Sequence, residues 1–129
     1  YKNCLTFEKD KIVLPNGMRL VYPKLRIDQG QLTYNTMRGQ ENTWGGRLTE
    51  NAVQALSRII ITDAMDKIKR ELPEYRIALT VHDEVVIVGP DTNPDETMEH
   101  IINCMVVAPD WCKEIPLDAE GGYDKSYSK

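Results

Sequence analysis

An α+β fold is predicted by three features of the sequence. Short β-prone runs alternate with turn residues, a long central stretch has helical periodicity, and a second helical stretch is opened by a proline. The expected architecture is a small antiparallel sheet with helices packed mainly on one face. The 129 residues fit a single domain with one core. Sixteen basic residues against twenty acidic ones give a net charge of −4, so the chain lacks the basic field of a free-standing nucleic-acid-binding protein. Any such contact is local or shared with another part of a larger protein. Cys4, Cys104 and Cys112 are odd in number and have no CxxC spacing, which argues against a disulfide framework or a zinc knuckle and for a reducing cytosol. No apolar run approaches the roughly 20 residues that cross a bilayer, and no leader pattern is present. The chain opens on Tyr-Lys-Asn-Cys with no initiator Met, as expected of a processed protein or a piece of a longer one.

Each element has a local signal. Asn16-Gly17 lies between the runs Lys11–Leu14 and Met18–Tyr22 and predicts a hairpin, with Pro15 at the turn edge or on an edge strand and Pro23 ending the second run. Residues Leu25 to Tyr34 read as one irregular strand. Asn35 to Gly46 reads as a connector, with Trp44 anchoring the loop and Gly45-Gly46 giving backbone freedom. Thr49 is the expected N-cap of a helix running to about Glu71, with Glu50 in its first turn and Pro73 beyond its end. Val53, Leu56, Ile60, Ala64, Ile68 and Leu72 recur near the 3.6-residue period and form the expected core stripe. Glu50, Asn51, Gln54 and Arg58 share a polar face on its first turns.

Further on, Arg76–Val81 and Val85–Val88 predict a hairpin closed by Gly89-Pro90. Asn93-Pro94-Asp95-Glu96 has the residue types of a capping box and opens a helix to about Val107, with Met98, Ile101, Ile102 and Met105 on its apolar face. Trp111 is expected to cover the helix end. Ile115 to Glu120 suggests a last edge strand, and 123–129 a flexible tail. His100 is expected to be exposed or locally hydrogen-bonded. Cys104 is expected to serve packing, since neither histidine is placed to form an evident dyad with it.

His82-Asp83-Glu84, between two β-branched runs, carries the clearest chemistry. Mg²⁺ in phosphate-processing sites takes one or two carboxylates and leaves its other positions to water and phosphate oxygens. A tight turn lets Asp83 serve as ligand while Glu84 is a second candidate or orients a water, and His82 offers a hydrogen bond to a phosphate or hydroxyl. Three letters alone are equally compatible with a solvated turn.

The surrounding sequence adds to this. Leu79-Thr80-Val81-His82-Asp83-Glu84 resembles the third polymerase motif of the family A DNA polymerases, particularly the phage-type members. Trp44-Gly45-Gly46 followed by Leu48-Thr49-Glu50-Asn51-Ala52-Val53-Gln54-Ala55 is similar to the Gly-Gly, Glu-Asn and Gln-Ala helix start upstream of that motif. Leu14 to Pro23 and Ile115 to Gly121 resemble the segment before this helix start and the closing segment. These four landmarks occur in the family's order over most of the chain.

The resemblance implies that the chain is the C-terminal part of a polymerase palm. Asp83 would be a metal carboxylate, Glu84 its acidic neighbour, and His82 a residue near the primer terminus. Gln54, with Glu50, Asn51 and Arg58, would line the path of primer-template DNA. The implied reaction is two-metal transfer of a nucleotide from a dNTP to a primer 3'-hydroxyl, with Mg²⁺ as cofactor. Val88 stands where relatives often carry another glutamate. The first metal motif and the nucleotide-gripping Arg, Lys and Tyr helix are missing, and the surroundings of Asp28 do not match that first motif. The isolated chain is therefore expected to be inactive, its two-metal site completed by an upstream polymerase region or subunit outside these residues, with no membrane partner. The competing readings are a small interaction or cation-binding module, and a metal-dependent phosphohydrolase.

Overall fold

The computed structural model describes residues 4–127, so the opening Tyr1-Lys2-Asn3 and the last two residues of the expected tail lie outside the described residues. In chain order the elements are β1 (Thr6–Glu8), β2 (Lys11–Val13), β3 (Arg19–Val21), β4 (Arg26–Asp28), β5 (Gln31–Thr36), β6 (Gly39–Thr43), α1 (Gly45–Glu71), β7 (Arg76–Val81), β8 (Glu84–Val88) and α2 (Pro94–Val106), followed by a 3₁₀ turn, Asp110–Cys112. The class is α+β, as expected. The single sheet is replaced by three antiparallel ones, β1-β2-β3, β4-β5-β6 and β7-β8. Short strands joined by tight turns complete their ladders with sequence neighbours. The chain divides into two compact units, one ending at Ile59 and one beginning at Ile60.

In the first unit, turn chemistry sets the registers. The Asn16 side chain accepts a hydrogen bond from the Met18 N–H at 3.1 Å, and Gly17 takes φ +84°, closing β2 on β3 as predicted, with Pro15 inside the turn. Gln29 and Gly30, both at positive φ, form a two-residue turn between β4 and β5. The expected irregular strand over 25–34 is thus β4 and most of β5, and the expected connector over 35–46 contains all of β6. Strand β6 has no apolar residue, hence no alternation to read. Its ladder runs from Leu32 opposite Thr43 to Thr36 opposite Gly39, and polar pairs reinforce it. The Tyr34 hydroxyl donates to Glu41 at 3.1 Å and the Asn42 amide to Gln31 at 2.9 Å. Thr33 and Thr43 are buried.

Tyr22 links the parts of this unit. Its ring meets Tyr34 edge-on with centroids 5.3 Å apart, its N–H donates to the Asp10 carbonyl at 2.7 Å, and its hydroxyl accepts the Asn51 amide at 3.1 Å. Helix α1 begins at Gly45, five residues before the first helical position that an N-cap at Thr49 implies. The Leu48 N–H bonds to the Trp44 carbonyl, and the Thr49 hydroxyl donates to the Gly45 carbonyl at 2.9 Å, so Thr49 lies inside the helix and is not its N-cap. Arg47 sits over the exposed Trp44 ring, 5.6 Å from its centroid. Of the predicted stripe, Ala64, Ile68 and Leu72 are buried and Leu56 and Ile60 half-buried, whereas Val53 is 56% exposed. Ala52 and Ile59 are buried instead. The amino-terminal half of α1 belongs to the first unit, and a one-residue step rotates the buried direction by about 100°.

In the second unit the core is Ile68, Leu72, Ile101 and Cys104, with Tyr75, Ile87 and Met105 packed against them. Lys69 and Arg70 in the last turn of α1 suit its negative dipole end. Asn93 precedes α2 in a left-handed conformation, φ 49° and ψ 57°, without a side-chain cap. The expected capping box is therefore not formed: a capping side chain is usually presented from extended backbone, and Asn93 is left-handed. The Thr97 N–H bonds to the Asn93 carbonyl, and Asp95 accepts the Tyr123 hydroxyl at 2.7 Å. The stretch 115–120 forms no strand, because no ladder partner lies beside it among the described residues. Just beyond it the backbone passes tightly over α2: a Cβ on Gly121 would lie 2.6 Å from Met98 Sδ. Trp111 is half-buried in the 3₁₀ turn. No helix among the described residues is long and apolar enough to cross a membrane.

Candidate functional site

Strands β7 and β8 pair from Arg76 opposite Val88 to Val81 opposite Glu84, with a bulge at Ala78. This register leaves His82 and Asp83 as the two-residue tip. His82 adopts φ +54°, the left-handed conformation that a two-residue hairpin turn demands at its first central position. A histidine there carries backbone strain that glycine or asparagine would relieve. Both tip residues are exposed, and no hydrogen bond or ion pair engages either side chain among the described residues. Glu84 is half-buried as the first residue of β8, and its carboxylate accepts the Tyr127 hydroxyl at 3.0 Å. That bond, with burial and the Glu84 charge, raises the Tyr127 phenol above its ordinary value. The two adjacent carboxylates thus differ: Asp83 faces solvent, and Glu84 already has a partner.

The expected polar face of α1 is only partly open. Gln54 donates its amide to Glu50 at 3.3 Å, and both are exposed, as is Arg58. Asn51 is half-buried and held by Tyr22.

A second group, Glu71, His100 and Cys104, did not stand out as a unit in the sequence. Their ligand atoms lie within 4.8 Å of one another. His100 Nε2 is 2.7 Å from Glu71 Oε2, and the Cys104 thiol donates to the same oxygen at 3.4 Å. The bonds from His100 and then Cys104 lower the Glu71 carboxyl below its ordinary range. Burial first, and then the Glu71 carboxylate, raise the Cys104 thiol. His100 is exposed, one of the two situations expected of it, and its hydrogen bond is to a residue on another helix and not a local one. Cys104 does pack in the core, and it also carries a polar contact. The readable signal was the four-residue spacing of His100 and Cys104, which puts them on one face of a helix. Glu71, at the end of another helix, joins them only through tertiary packing.

The chain is 34% identical over 130 residues to the DNA polymerase of Bacillus phage SP02, a similarity covering 92% of this chain and 19% of that protein. It thus spans well under a quarter of that relative's length. No family model and no solved structure matches the chain.

Proposed function

We propose that this chain is the C-terminal part of the palm of a family A DNA polymerase, a single domain of a larger protein. In this reading Asp83 contributes to DNA-directed DNA synthesis by nucleotidyl transfer. The observation that carries it is the strand-held tip at which Asp83 is exposed and has no side-chain partner among the described residues, within a chain similar along 92% of its length to a phage DNA polymerase.

The donors at the tip fit Mg²⁺ in kind. Asp83 offers hard carboxylate oxygens, Glu84 stands next to it, and phosphate-processing Mg²⁺ sites need only one or two carboxylates from a protein. Two metals 3.5 to 4 Å apart would require a further acidic ligand, and the upstream polymerase region would supply it. When bound, the ions would activate the primer hydroxyl and offset charge on the leaving pyrophosphate. The protein's own part is positional. The β7–β8 ladder fixes where the Asp83 carboxylate can sit, and Tyr127 limits the swing of Glu84. His82 can donate a hydrogen bond to a phosphate or to the primer terminus. Gln54 and Arg58 would contact primer-template DNA through amide and guanidinium donors, on a helix face that they share with Glu50 and Asn51. The isolated chain is inactive in this account.

The test is a chimera in which this chain replaces the matching stretch of the Bacillus phage SP02 DNA polymerase. Template-directed, Mg²⁺-dependent primer extension by the chimera is the expected result. A folded chimera that binds primer-template but extends nothing would remove the proposal.

A further inference from the structure

We infer that Glu71, His100 and Cys104 form a binding site for a Zn²⁺-class divalent ion, with Glu71 Oε2, His100 Nε2 and Cys104 Sγ as ligands and a fourth position open to solvent. One carboxylate oxygen already gathers the other two donors, at 2.7 Å and 3.4 Å. In a tetrahedral zinc site, bond lengths of about 2.0 to 2.3 Å put N and O roughly 3.4 Å apart and S and O roughly 3.6 Å apart. Admitting an ion therefore requires the His100–Glu71 pair to part by roughly 0.7 Å and the His100 nitrogen, within 4.8 Å of Cys104 Sγ, to settle at roughly 3.6 Å from it, while Sγ and Oε2 stay near their present separation. His100 and Glu71 are exposed enough to adjust, and Cys104, fixed in the core, sets the inner end of the site.

The chemistry of the donors selects the ion. A thiolate and an imidazole favour Zn²⁺ or Co²⁺ over Mg²⁺, which prefers an all-oxygen octahedron. Three protein ligands and one open position form a standard zinc coordination pattern. A cavity of about 410 Å³ lies against the cluster and gives access to that position. Glu96 and Glu99 also line it, so three carboxylates face the single ammonium of Lys67 there. Binding exchanges protons for metal: the Cys104 S–H bond is broken, an S–metal bond forms, and the proton is released to solvent. His100 binds through the Nε2 lone pair and keeps any ring proton on Nδ1. The bound ion would tie the end of α1 to the middle of α2 and stabilise the second unit by mass action.

Titrating the metal-free full chain with Co²⁺ under reducing conditions tests this. The expected result is one equivalent bound, a thiolate-to-cobalt charge-transfer band, the visible bands of a tetrahedral site, and loss of both on adding Zn²⁺ but not Mg²⁺. Cys104→Ser should abolish the charge-transfer band, and His100→Gln and Glu71→Gln should each weaken binding on the order of 10-fold to 100-fold. Cys4→Ser should leave the spectrum unchanged. Absence of the band in the wild-type chain would overturn the site whatever the variants do, as would its persistence in Cys104→Ser or its loss in Cys4→Ser.

Discussion

The hairpin tip and the helix-end cluster put ionisable side chains in opposite situations. His82 and Asp83 are sequence neighbours at a two-residue turn, and neither side chain has a partner among the described residues. Glu71, His100 and Cys104 are spread over two helices and satisfy one another around a single carboxylate oxygen. An exposed carboxylate on a rigid turn is available to a group that comes from outside, whereas the clustered donors already have partners within the fold. The difference separates ionisable groups left to solvent at a turn from ones gathered beside the core.

Substitutions should divide along the same line. Ile68→Ala, removing a side chain 1% exposed beside Cys104, should have the largest effect on stability, about 2–5 kcal/mol by urea unfolding of the second unit. Unchanged stability would mean that the cluster does not rest on this core. A smaller effect is expected in the Tyr127–Glu84 bond. The neutral phenol is the donor and its pKa is raised above 10.0, so any stability it contributes is complete below that value and is lost as pH rises through the raised one. An absorbance titration should find Tyr127 ionising late, and Glu84→Gln should return it toward its ordinary value. Identical titration of the two proteins would remove the contact. The smallest effect is predicted for Asp83→Asn, which should shift unfolding by no more than about 0.5 kcal/mol, since it removes no internal contact. A larger loss would make the tip carboxylate part of the fold and erase the contrast.

Local chemistry made much of this legible from sequence. Asn16-Gly17, the β-branched runs around His82-Asp83, the helical period leading to Leu72 and Pro94 at the start of α2 each announce an element through a few adjacent residues. Strand β6 did not, because Gly39-Gln40-Glu41-Asn42-Thr43 acquires its strand character from pairing with β5. Val53 and Thr49 misled for a related reason. One helix serves two units, so a single periodic stripe cannot describe both halves, and a residue type suited to an N-cap sits one turn inside a helix that Gly45-Gly46 does not stop. At the candidate site, the tip position of Asp83 was readable because a hairpin is local. The bond that engages Glu84 comes from a tyrosine 43 residues away. Glu71 likewise gains its partners from residues 29 and 33 positions further along.

We propose that the Asp83 carboxylate is held out for nucleotidyl transfer. Single-turnover nucleotide incorporation, measured beside primer-template affinity for the polymerase chimera and its Asp83→Asn variant, tests it most directly. Incorporation should fall about 10²–10³-fold, the scale of losing one preorganised charge-stabilising group, while affinity stays within a few fold. Incorporation at the wild-type rate by Asp83→Asn would contradict it.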